Sequence, residues 1–312
     1  MGCSLLLLVI LFQACAVKPQ ADKNIFILAG QSNMAGRGGV VNDTAVWDGV
    51  VPPQCNPNPS ILRFNAQMEW IEAQEPLHHD IDPKKSNGIG PGMIFANSLL
   101  EKREGFGVVG LVPCAIGGTN IREWERGKLI YNHMMKRVKA SLNDGGSVQA
   151  LLWYQGESDT VNLNDAQSYK RRVHKFFLDV RNDLQYPLLP IIQVALASGQ
   201  GSYINIVRQA QWDIVLQNLR TVDAMGLPLE PMGLHLTTQA QVKLGQMMAD
   251  SFIQFLPSPN PEHVTPTRNE APTRPHNCAS HIYKFPLFIR FITIISFIFL
   301  YHPFFFITMF AP

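Results

Sequence analysis

The run Asn24-Ile25-Phe26-Ile27-Leu28-Ala29 is apolar and β-prone almost throughout, and it stops abruptly at Gly30-Gln31-Ser32-Asn33-Met34-Ala35-Gly36. Such a run, ending in glycine, reads as a buried strand that surfaces and turns towards a helix. In open α/β sheets, ligands bind at the carboxyl ends of the strands. A serine therefore stands where a substrate approaches, and the flanking glycines let backbone N–H groups face a developing negative charge. Taken alone, a Gly-Ser step after a strand is only a turn.

Three later stretches change that. Val112-Pro113-Cys114-Ala115-Ile116-Gly117-Gly118-Thr119 again runs from a β-prone segment into glycines. Leu151-Leu152-Trp153-Tyr154-Gln155-Gly156-Glu157-Ser158-Asp159 ends in an amide, a glycine and an acid. Gly233-Leu234-His235-Leu236-Thr237-Thr238 places a histidine just before a closing helix. Serine, glycine N–H groups, a glutamine amide and a histidine are the parts of a serine esterase: nucleophile, oxyanion donors and general base.

The intervening pattern alternates. Strands are predicted at 24–29, 106–113, 148–154, 189–197 and 220–224. Helices are predicted at 91–104, 128–142, 165–184, 203–217 and 237–255, with Thr237 or Thr238 placed to cap the last. This alternation implies an α/β fold, a parallel sheet covered by helices on both faces. Residues 37–90 show no clear periodicity and read as a long functional loop.

In this order, GQSNM, IGGT, WYQGESD and LHLTT resemble the plant carbohydrate-esterase family of the SGNH hydrolase superfamily. This is the branch related to sialic-acid acetylesterases and acetyl xylan esterases. The resemblance extends from about Asn24 to Leu256 and includes CAIGGTNIREWERG and LPIIQVALASG. It implies a three-layer α/β/α sandwich of flavodoxin-like type, and a cofactor-free esterase that removes acetyl or other short-chain acyl groups from carbohydrate. On this reading Ser32 is the nucleophile. The Ser32 N–H, the N–H of Gly117 (or Gly118) and the Gln155 amide form the oxyanion hole, and His235 is the base.

One departure stands out. The family commonly carries an aspartate three residues before this histidine, and here that position is Met232. A thioether cannot orient or charge-stabilise an imidazolium. Glu157, Glu230 and Asp223 are the candidate substitutes, and Glu157 ranks first because it shares a loop with Gln155. The alternative is a carbohydrate-binding protein whose catalysis is impaired at Met232. Trp124 is a candidate sugar-stacking residue, with a core aromatic as the competing reading. Trp153, inside a strand, reads as core.

Net charge +2 and the absence of a basic cluster with interleaved aromatics give no reason to expect nucleic acid. His78-His79-Asp80 reads as a solvated loop rather than a metal site, since adjacent histidines point apart. Leu5 to Phe12, followed by Ala14-Cys15-Ala16, reads as a secretory leader ending at Ala16, which implies an extracellular, cell-wall location. Asn42-Asp43-Thr44 is then a glycosylation sequon. Cys55, Cys114 and Cys278 remain beyond the leader, an odd number that makes no disulfide framework, and Cys114 reads as buried. The catalytic domain is expected over 22–256 and a Pro/Thr-rich linker over 257–283. The Phe/Ile-rich run at 284–312 reads as a membrane span, a glycolipid-anchor signal or translated non-coding sequence. The last is preferred because Leu, Val, Ala and Gly are scarce there.

Overall fold

The computed structural model describes residues 22–41 and 46–257. The leader, the sequon, Cys278, the linker and the C-terminal run lie outside them. The chain proceeds through β1 (Lys23–Gly30), a single turn α1 (Ser32–Ala35), β2 (Val40–Val41), β3 (Val46–Trp47), β4 (Ile61–Phe64), β5 (Trp70–Glu72) and α2 (Gly92–Lys102). It continues through β6 (Val108–Pro113), α3 (Leu129–Ser141), β7 (Ser147–Tyr154), α4 (Leu163–Asp183), β8 (Ile191–Ala195), α5 (Ile204–Trp212), β9 (Leu219–Asp223) and α6 (Thr238–Ile253).

Seven strands form one sheet in the order β5-β4-β6-β1-β7-β8-β9, parallel except for β5, which pairs antiparallel with β4. β1 is flanked on both sides by parallel strands and is buried at every position but Asn24, which is why its sequence is continuously apolar. Phe26 faces one layer, with its ring 4.9 Å from both Phe95 of α2 and Phe252 of α6. Trp153 of β7 faces the other, 4.5 Å from Phe176 of α4. Helices thus cover both faces, giving the expected three-layer α/β/α sandwich.

The ten predicted elements are all present, most within about two residues of their predicted ends. The helix predicted at 203–217 stops earlier, at Trp212. Thr237 caps α6, its hydroxyl accepting from Ala240 N–H at 3.2 Å. The segment 37–90 corrects the sequence reading: it contributes two strands to the main sheet and a separate two-stranded ribbon, β2–β3. These strands are two to four residues long. A buried arginine, Arg63, interrupts the apolar pattern of β4 and is balanced by Asp80 at 2.6 Å. His78 is also not solvated as expected; it is 1% exposed, and burial lowers its pKa to about 3.

The topology positions the site. After β1 the chain moves to one side for β4 and β6, then crosses to the other side of β1 for β7, β8 and β9. The carboxyl ends of β6, β1 and β7 lie side by side at this reversal, where crevices form. The Gly117 loop, Ser32 and the Gln155–Glu157 loop follow these three ends directly. Gly30 makes the exit from β1 possible. Its φ is +132°, and a Cβ there would lie 2.0 Å from the Tyr154 carbonyl oxygen.

Candidate active site

Ser32 opens α1 and is 6% exposed. Its Oγ lies 3.0 Å from His235 Nε2, although 203 residues separate the two. Burial lowers the His235 pKa to about 4, and the nearby Arg37 guanidinium adds to the effect. The ring is therefore neutral at pH 7. With its proton on Nδ1, the imidazole accepts from the Ser32 hydroxyl at Nε2, the geometry a general base needs.

The loop carrying His235 is closed by its own main chain. Leu229 and Leu236 form an antiparallel bridge, and Glu230 N–H donates to the His235 carbonyl at 2.7 Å. Gly233 N–H donates to Glu230 C=O at 2.7 Å. Met232 sits within this loop, 76% exposed. Among the described residues nothing pairs with His235 Nδ1.

The three substitute carboxylates are engaged elsewhere. Glu157 accepts from Asn33 Nδ2 at 2.7 Å, Glu230 accepts from Gly39 N–H at 3.3 Å, and Asp223 pairs with Arg208 at 3.0 Å. The expectation that Glu157 touches the histidine is thus corrected. Glu157 is fully buried one residue from Ser32, behind Asn33, and burial raises its pKa to about 7.

The oxyanion side also departs from expectation. Gly117 comes close to the nucleophile: a Cβ built on it would lie 3.6 Å from Ser32 Cβ. Its N–H, however, donates to Asp82 Oδ2 at 3.1 Å, and Asp82 is in turn held by Arg37 at 2.6 Å. The Gln155 amide nitrogen is fully buried and lies within hydrogen-bonding distance of Asp159 Oδ2 at 2.6 Å, Thr119 O at 3.0 Å and Gln31 Oε1 at 3.2 Å. Asp159 is itself buried, which raises its pKa to about 7. Of the expected donors, the Ser32 N–H and the alternative Gly118 N–H have no protein acceptor among the described residues.

Trp124 is corrected as well. It is completely buried, its indole N–H donates to Thr119 Oγ1 at 3.0 Å, and its ring meets Trp153 edge-on at 5.0 Å. It is a core residue, as Trp153 is. Sequence reasoning passed over Asn33, Arg37 and Asp82. Asn33 and Arg37 belong to a stretch buried from Ser32 to Gly38, where each polar side chain must find partners inside the protein.

The profile of the family described as carbohydrate esterase, sialic acid-specific acetylesterase, matches residues 22–254. A probable carbohydrate esterase of Arabidopsis thaliana is 53% identical over 240 residues, covering 75% of this chain and 92% of that protein. The X-ray structure of an Arabidopsis protein superposes with TM-score 0.72 at 52% identity, covering 75% of this chain and 98% of the other. NanS, at 16% identity and TM-score 0.60, shares the fold over 75% of this chain and 97% of its own. A carbohydrate acetylesterase from Xanthomonas citri shares it at 18% identity and TM-score 0.54, over 74% and 56%. On the extent of the profile match and the identity to the Arabidopsis protein, this chain belongs to the carbohydrate esterase family of sialic acid-specific acetylesterases.

Proposed function

We propose that this carbohydrate esterase is a serine hydrolase that removes acetyl groups from carbohydrate through an acyl-enzyme on Ser32. The observation that carries the reading is the 3.0 Å contact between Ser32 Oγ and a neutral His235 Nε2, at the meeting of three parallel strand ends. His235 takes the hydroxyl proton as Ser32 Oγ attacks the ester carbonyl carbon. The resulting oxyanion meets the Ser32 N–H. The Gly117 N–H joins by exchanging Asp82 for the oxyanion, and the Gln155 amide by leaving its internal acceptors. His235 then passes its proton to the departing sugar oxygen. Water, deprotonated by the same ring, releases acetate and restores Ser32.

A cleft of about 560 Å³ is lined in part by Asp82, the acceptor of the Gly117 N–H, and by Lys84, Ile116, Leu129, His133 and Lys136. We place the sugar there, one residue along the chain from Gly117, rather than on the buried Trp124. Secretion, with the leader removed after Ala16, belongs to the same reading.

That His235 Nδ1 has no partner among the described residues favours a second reading, a carbohydrate-binding protein with impaired turnover. Kinetics on 4-nitrophenyl acetate and on acetylated sugars decide between them. The first reading expects measurable hydrolysis by the native chain, a fall of at least ~10³-fold for Ser32→Ala, and fluorophosphonate labelling that this substitution abolishes. Equal activity in the native and Ser32→Ala proteins would overturn it.

A further inference from the structure

Among the described residues His235 has no carboxylate partner, yet it is held firmly enough to present Nε2 to Ser32. The source of that order is Asn33, the residue after the nucleophile. Asn33 is 0% exposed. Its Nδ2 donates to the Leu234 carbonyl at 3.3 Å, and its Oδ1 accepts from Leu236 N–H at 3.0 Å. One side chain thus grips the peptide groups on both sides of His235. Its second Nδ2 hydrogen goes to Glu157 Oε1 at 2.7 Å, and its own main-chain carbonyl accepts from Gln241 Nε2 of α6 at 3.1 Å. Every hydrogen-bonding group of the amide is used in one orientation, so it cannot flip or swing without leaving buried groups unpaired.

We propose that Asn33 is a positioning residue for His235, braced by Glu157, and that this main-chain clamp supplies the orientation that the side chain at Met232 does not. Because Asn33 and Ser32 are adjacent, nucleophile and base are located by the same turn of chain. Glu157 acts here as a hydrogen-bond acceptor and not as a charge. Its second oxygen is buried without a partner among the described residues, where a full charge would go uncompensated, and burial lifts its pKa to about 7, so the carboxyl is substantially protonated at neutral pH. Glutamine offers the same acceptor oxygen in nearly the same volume.

The inference rests on Ser32 and His235 being the catalytic pair, so the test carries both controls. The rate of Ser32 labelling by a fluorophosphonate, and kcat and KM on 4-nitrophenyl acetate, are measured for Asn33→Ala, Glu157→Ala and Glu157→Gln. Asn33→Ala is also measured in the His235→Ala background. Asn33→Ala is expected to lower kcat by ~10²-fold with KM changed less than about three-fold, the size of effect that follows from misplacing a catalytic group by an ångström. Glu157→Ala is expected to lower kcat by ~30-fold and Glu157→Gln by only ~3-fold. In the His235→Ala protein, where no base remains to be aimed, Asn33→Ala is expected to change the residual rate by less than about two-fold.

Two results overturn the clamp. One is Glu157→Gln as damaging as Glu157→Ala, which would mean that the charge itself is used; the other is Asn33→Ala lowering the residual rate of His235→Ala as much as that of the native protein, which would make its role general. The two glutamate variants decide the question if Asn33→Ala does not fold. Full activity of Ser32→Ala or His235→Ala would overturn the catalytic pair and, with it, the clamp.

Discussion

The two halves of the site are built on opposite principles. On the histidine side, charge is sparse and geometry is dense: main-chain bonds and one amide fix His235, while position 232 lies open to solvent. On the oxyanion side, carboxylates are abundant. Asp82 occupies the Gly117 N–H and Asp159 accepts from the Gln155 amide. The difference separates two requirements of acyl transfer. A base needs above all to be aimed, and hydrogen bonds to neutral groups can do that. An oxyanion needs donors free of competing negative charge, and here two of the expected donors, the Gly117 N–H and the Gln155 amide, already face carboxylates.

The largest effect that sharpens this contrast comes from Asp82. Its pair with Arg37 is buried on both sides, at 6% and 4% side-chain exposure. Asp82→Ala leaves a buried guanidinium unpaired and is expected to cost about 3–5 kcal/mol of stability in denaturant unfolding. It also frees the Gly117 N–H, so kcat per folded molecule should rise, towards the ~10²-fold that one such donor contributes. A fall in kcat would mean that Asp82 assists the reaction and that the contrast is misdrawn.

Next in size is Met232→Asp, which adds a carboxylate to the loop whose histidine has none paired with it among the described residues. A carboxylate near Nδ1 stabilises the imidazolium, so turnover should increase by ~10²-fold. The His235 pKa should rise from about 4 towards neutrality, moving the acid limb of the kcat/KM profile to higher pH. A silent substitution with an unmoved acid limb would show that the clamp already meets the whole requirement.

The smallest effect tests three buried carboxyls: Glu157 behind the histidine loop, Asp159 on the Gln155 amide, and Glu75 away from both. Burial raises Glu157 and Asp159 to about 7 and Glu75 to about 8. A carboxyl raised in the fold binds more protons there than in the unfolded chain. Its stabilisation is complete below the unfolded value and is lost as pH rises through the folded one. His78 and His235 are depressed and oppose this trend, but only below about pH 6.5. Stability should therefore fall between about pH 6.5 and 8, by on the order of 1–2 kcal/mol. Thermal midpoints at pH 6 and pH 8 would record the fall, and Glu157→Gln should make it shallower. A midpoint that rises over this interval contradicts the sign.

The sequence was most legible where burial on both sheet faces forces an unbroken apolar run, as in β1 and β7. It was least legible in 37–90, where strands of two to four residues carry too little period and Arg63 masks β4. Ser32 and His235 could be found because strand ends and a pre-helix histidine leave local signatures. Trp124 was ambiguous because a tryptophan after a glycine loop looks the same packed inward or outward. Glu157 lies close to the Ser32–His235 pair, but its neighbour is Asn33 and not the histidine: a motif gives proximity along the chain and not the one residue that stands between it and the histidine loop.

The bridge between Leu229 and Leu236 closes the histidine loop without help from the side chain at its exposed tip. Position 232 therefore contributes little to folding, and a carboxylate placed there can be judged on its chemistry alone. Replacements there should leave folding and resistance to proteolysis unchanged, so variants that differ in turnover should be obtained at the same level of folded protein.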